Sequence, residues 1–217
     1  MYARTIKTAE NEETTLTLQV GGKLWNRSLV MRDLETESEW SHILGEAMAG
    51  KLKGTLLDTI PSDMVTWESW KKEHPDTTVI NLSRTNRSFL KEFYADPTRF
   101  VLGFRGSLHT HHCSYQTMAD KPLQNVKAGD LPLVITFNKK TTSALIFSRK
   151  VGEQTLIFEI ANDETLRDVQ TKSIWNRSSG QAIEGPLKGK TLEHHIGIPS
   201  FLRAWNTFHP KSVEIGK

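Results

Sequence analysis

Short runs rich in β-branched and aromatic residues recur along the chain, separated by glycine, proline and polar breaks. That pattern predicts a protein made mainly of short strands. Residues 15–20 (TLTLQV) and 155–160 (TLIFEI) read as strands, as does 99–107 (RFVLGFRGS). Residues 132–154 (PLVITFNKKTTSALIFSRKVGEQ) read as strand, turn, strand, turn. In the stretch D-x-x-T-x-S-x-W the period is two, so Thr36, Ser38 and Trp40 share one face, as do Thr171, Ser173 and Trp175. Asp33 and Asp168 are expected to stabilise turns, and the tryptophans to fill cores. Two segments break the strand pattern and predict short helices, 66–74 (TWESWKKEH) and 200–209 (SFLRAWNTFH), with Ser200 as an N-cap. A proline after His74 and after His209 ends each helix, because it pushes the preceding residue out of the α region. Residues 121–132 (KPLQNVKAGDLP) read as a loop.

These elements occur twice. Residues 32–54 align with 167–189 at a constant offset of 135, pairing Asp33 with Asp168, Trp40 with Trp175, and Gly45, Gly50 and Gly54 with Gly180, Gly185 and Gly189. The same offset pairs Trp70 with Trp205, His74 with His209 and Pro75 with Pro210. A gap-free register of rare residues over such a span is a duplication. The expected fold is therefore mostly β: two related β lobes, each with a short helix. Residues 1–76 form the first lobe, 77–98 a connector, and 99–217 the second lobe. The first copy is incomplete at its N-terminal end, since nothing in 1–13 matches the strand at 133–137. Its neighbour around 2–6 is expected to be left as an exposed edge, open to pairing with another chain, a second copy included. The first copy also has GGKLWNRSLVM (21–31) where the second has only ANDETL (161–166), either a longer hairpin or a functional insertion.

Composition narrows the function classes. Hydrophobic residues make up 37% and charged residues 24%, as in ordinary globular domains, and the net charge is +3. No Lys/Arg block marks a nucleic-acid-binding arm, so no nucleic-acid partner is expected. No apolar run is long enough to span a bilayer, and residues 1–15 lack a signal-peptide core, which by itself predicts a cytoplasmic location. The single cysteine excludes an intrachain disulfide and any Cys-x-x-Cys site. No nucleophile elbow, phosphate loop or His-Glu-x-x-His helix is present, and no carboxylate pair has spacing that implies acid–base work.

One stretch does suggest chemistry. Residues 109–113 read HTHHC, placing His109, His111, His112 and Cys113 within five positions. On a strand, His109, His111 and Cys113 would share a face and His112 would point away. With a fourth donor, such a set can hold zinc or copper. His194 and His195 are possible donors that the sequence does not bring near. The alternative is a polar strand end with Cys113 as a small buried filler. His74 and His209 recur in both copies, so a role closing each helix fits them better than a single catalytic role.

The segments 22–57 (GKLWNRSLVMRDLETESEWSHILGEAMAGKLKGTLL) and 66–77 (TWESWKKEHPDT) resemble the first half of domain-of-unknown-function family 3179. Residues 143–159, 171–189 and 204–210 resemble its second half. The resemblance implies a bacterial or archaeal protein, often extracytoplasmic, with no established activity. Family members typically carry Tyr-Cys-Pro-x-Cys just upstream of the strand that corresponds to residues 2–6; this chain starts after that point, and 137–141 (FNKKT) has no cysteine either. An extracytoplasmic location is then expected if the chain is an N-terminally shortened member. HTHHC falls where relatives show an Ala-x-Ala-Tyr-Pro-like sequence and is not a family motif. The expected function is a non-catalytic binding or scaffold protein. The alternative is a metal-binding protein or metal-dependent enzyme using His109, His111, His112 and Cys113.

Overall fold

The computed structural model describes residues 1–7, 12–79 and 99–216. In the first lobe, β1 (Thr5–Lys7) and β2 (Glu13–Thr15) form a hairpin. An antiparallel meander follows, made of β3 (Leu18–Trp25), β4 (Ser28–Asp33), β5 (Glu39–Ser41) and β6 (Glu46–Ala49), and then helix α1 (Trp67–Glu73). Ile6, Leu16, Trp40, Ala47 and Leu57 pack into its core. Asn26 and Arg27 both have positive φ, 48° and 63°, as a two-residue turn with the right-handed strand twist requires. The long segment 21–31 is thus an extension of the β3–β4 hairpin.

The second lobe opens with β7 (Phe100–Arg105), β8 (Thr110–Ser114), α2 (Tyr115–Asp120), β9 (Leu123–Ala128), β10 (Leu131–Phe137) and β11 (Ala144–Ser148). It continues through the hairpin of β12 (Lys150–Val151) and β13 (Gln154–Thr155) to the meander of β14 (Phe158–Ile160), β15 (Thr165–Asp168), β16 (Ile174–Asn176) and β17 (Ala182–Glu184). It closes with β18 (His194–His195), β19 (Gly197–Phe201), α3 (Leu202–Phe208) and β20 (Val213–Glu214).

The duplication is visible in backbone detail. Trp40 pairs with Ala47 and Trp175 with Ala182, each next to a register shift. Gly50 and Gly185 have φ of 92° and 89°, and a Cβ on either would sit 2.7 Å from the α-carbon of Ser38 or Ser173. Only glycine fits such a close approach at positive φ. Tyr2 bridges Thr59 as Phe147 pairs with His194, and Arg4 donates to the Leu16 carbonyl as Arg149 does to that of Leu156. Met1–Ala3 is therefore the counterpart of β11. Among the described residues it is bonded to 58–60 on one side, and β9 and β10 have no counterpart in the first lobe.

In the second lobe the sheet β18-β11-β10-β9 is buried on both faces. One face packs Leu133, Ile135 and Ile146 against Leu102, Phe104 and Met118, and the other packs Val134, Leu145 and Phe147 against Phe158, Leu166 and Trp175. That is why β10 and β11 are continuous apolar runs rather than alternating ones. The sheet β19-β7-β8-β20 lies on the first of these faces, with α3 contacting β7 and β19.

Three local expectations need correction. Residues 121–132 are not a loop: β9 pairs with β10 along its length, with the turn between them opened by Gly129 at φ 68°. The six-residue helix α2 has no clear period in its sequence and was not expected. The N-cap of α3 is Phe201, with no side-chain cap bond, and Ser200 lies within β19, buried. The expected connector 77–98 falls almost wholly outside the described residues. No helix among the described residues is long and apolar enough to cross a membrane.

Candidate functional site

The repeated D-x-x-T-x-S-x-W motif is a buried hydrogen-bonded unit. Asp33 accepts from the Thr36 backbone N–H (2.5 Å) and hydroxyl (2.8 Å), the Ser38 N–H (3.1 Å) and the Trp40 indole (2.7 Å). Asp168 accepts from the Thr171 N–H (2.5 Å) and hydroxyl (2.8 Å) and from Trp175 (2.9 Å). Each carboxylate stabilises a turn, as expected, and also ties it to the buried tryptophan of its lobe. Burial pushes the Asp33 carboxyl up, but its donors outweigh this and hold it below the ordinary 3.8. A carboxyl depressed in the folded state contributes stability above its unfolded pKa and loses it as pH falls through the folded value. Asp33→Asn should therefore cost roughly 2 kcal/mol at neutral pH, and the gap to wild type should close as pH falls below 3.8. Urea midpoints across that range measure it; a gap independent of pH would contradict the assignment.

The HTHHC residues separate. His109 is exposed in the β7–β8 turn, and the other three lie on β8. His111 stacks on Phe104 (centroids 5.6 Å, 19°), and its Nδ1 has no hydrogen-bond partner among the described residues. His112 points to the opposite face, with Nδ1 2.9 Å from Ser212 Oγ. Cys113 is fully buried in the apolar core, and burial pushes its thiol up to about 11, so it is not a thiolate at neutral pH. His111 and Cys113 share a face as expected, but His109 does not join them. Among the described residues no three His, Cys, Asp or Glu side chains converge where they could hold a metal ion.

The duplicated Trp–His pair behaves as a structural unit. The rings of Trp70 and His74 stand 4.1 Å apart, as do those of Trp205 and His209. Each histidine closes its helix through its backbone N–H, which donates to the tryptophan carbonyl at 2.8 Å, while its ring contacts the indole. Trp70 donates to Thr77 (2.9 Å) and Trp205 to Ser212 (2.8 Å), the same turn in both copies. Since the indole N–H can only donate, Ser212 accepts there, and its own proton is available to His112 Nδ1. The two copies differ in burial: Trp205 is 1% exposed and Trp70 39%. Trp205 lies flat on the backbone of β7, where a Cβ on Gly103 would fall 2.3–2.4 Å from its ring atoms.

That packing makes one wall of a groove between the lobes. The first lobe supplies Tyr2, Ile43 and Leu57; the second supplies Phe104, Arg105, His195, Ile198, Trp205 and His209, around about 460 Å³. The lobes are joined beside it, where the Asp63 carboxylate accepts from the Ser143 hydroxyl and, at 3.3 Å, from the Ala144 N–H. Tyr2 donates to the Ile43 carbonyl (2.8 Å), and burial pushes its phenol up to about 12. Burial also lowers the His194 and His209 imidazoles below their ordinary value, which keeps them neutral at pH 7. His195 Nε2 lies 2.7 Å from the Arg105 carbonyl and fixes the end of β7. The sequence singles out His209 and Trp205 through the repeat, and His194 and His195 as a pair. It carries no signal for Tyr2, Phe104 or Arg105, which come from distant segments.

No curated protein and no solved structure matches the chain. A family model described as a protein of unknown function, DUF3179, matches residues 1–108 and again residues 91–212. Two matches in tandem agree with the paired meanders, and the chain belongs to the DUF3179 family.

Proposed function

We propose that the protein is a non-catalytic binding module and that its ligand site is the groove between the lobes. The groove itself carries this reading. Its volume of about 460 Å³ suits a small molecule, and its walls are largely apolar and aromatic with a few polar groups. Among the described residues no serine or cysteine lines the groove, and the Tyr2 hydroxyl on its wall donates to the Ile43 carbonyl. The described lining thus offers no serine or cysteine nucleophile. A fragment library titrated into nitrogen-labelled protein tests the proposal. Amide shifts should cluster at Phe104, Arg105, His195, Trp205 and His209. Binders that map to another surface, or a library without binders, would overturn it.

A further inference from the structure

Resting on that reading, we infer that the groove takes a monoanionic ligand, a carboxylate on an apolar body, with Arg105 as its anchor. Arg105 ends β7 at the groove, and its side chain is solvent-exposed. No acidic side chain among the described residues lies within ion-pair distance of it. It shares the groove lining with Tyr2 of the first lobe and His209 of the second. Burial holds the His209 imidazole neutral there, and Arg105 is the guanidinium on the lining. A planar guanidinium without a partner matches a carboxylate in a two-bond fork. Beyond it, Leu56, Ile196 and Ile198 offer apolar surface to the rest of the ligand. Asp58 and Glu193 stand exposed on the lining and disfavour a ligand with a second negative charge.

The test uses phenylpropionate, indoleacetate and hexanoate, each matched by its amide, in calorimetric titrations of the whole chain at low salt. At least one acid should bind about tenfold tighter than its amide, and Arg105→Gln should abolish that preference while leaving the melting temperature unchanged. Acids and amides that bind alike, or a preference that survives Arg105→Gln, would overturn the carboxylate assignment and leave the groove standing as a binding site. If neither acids nor amides bind, both the assignment and the binding reading fail.

Discussion

Asp168→Ala is expected to destabilise the second lobe by roughly 4 kcal/mol. The carboxylate is 0% exposed and accepts from the Thr171 N–H and hydroxyl and from the Trp175 indole. Trp175 is itself fully buried, so alanine strands its N–H in a dry interior with nothing to accept it. The damage spreads along the motif. Thr171 is also bonded to Ser173, whose hydroxyl accepts from the Leu187 N–H across the Gly185 turn. Losing the carboxylate therefore loosens the β15–β16 turn and the β17 end together. Thr171→Ala removes one hydroxyl and one methyl but leaves the carboxylate in place, and should cost roughly 1 kcal/mol. Urea unfolding followed by tryptophan fluorescence measures both. An Asp168→Ala loss no larger than that of Thr171→Ala would mean the carboxylate does not organise the lobe.

The second large effect separates burial from sequence pattern within one molecule. Trp205→Ala should cost roughly 4 kcal/mol, because it empties the space over Gly103 and removes the surface His209 packs on. Trp70→Ala deletes the same residue of the same motif, with the same histidine contact and the same indole hydrogen bond. Trp70 is 39% exposed, and the expected cost is about 1 kcal/mol. Thermal melts of the two variants side by side decide the matter. Equal losses would show that the local Trp–His–turn unit, rather than the sheet beneath it, sets the stability. Trp205→Ala also removes a wall of the groove, so it should weaken ligand binding where Trp70→Ala does not.

The duplicated meanders were legible because their logic is local. Asp33 and Asp168 reach only three to seven residues along the chain, and the glycines adopt their positive φ within the same turns. β9 is not legible in the sequence for the opposite reason. Its glycine and proline neighbours look like loop punctuation, and only pairing with the doubly buried β10 makes it a strand. HTHHC follows the alternation expected of a strand, with His112 facing Ser212 while His111 and Cys113 turn inward. The exposed place of His109 in the β7–β8 turn, by contrast, comes only from the fold. The groove drew nothing from local pattern. Tyr2, Arg105 and His209 are far apart in the chain, and no periodicity links them.

The sequence by itself determined that the chain is a strand-rich duplication, that each copy sets an aspartate in a turn and a tryptophan in a core, and which family it belongs to. Those properties follow from short-range hydrogen bonds and from a register of side chains that survives in the residues themselves. The tertiary structure alone decided which Trp–His pair is buried and where the groove lies. In the second lobe a sheet carrying Gly103 lies beneath the tryptophan, and the packing of the two lobes brings Arg105 to the same cleft as Tyr2 and His209.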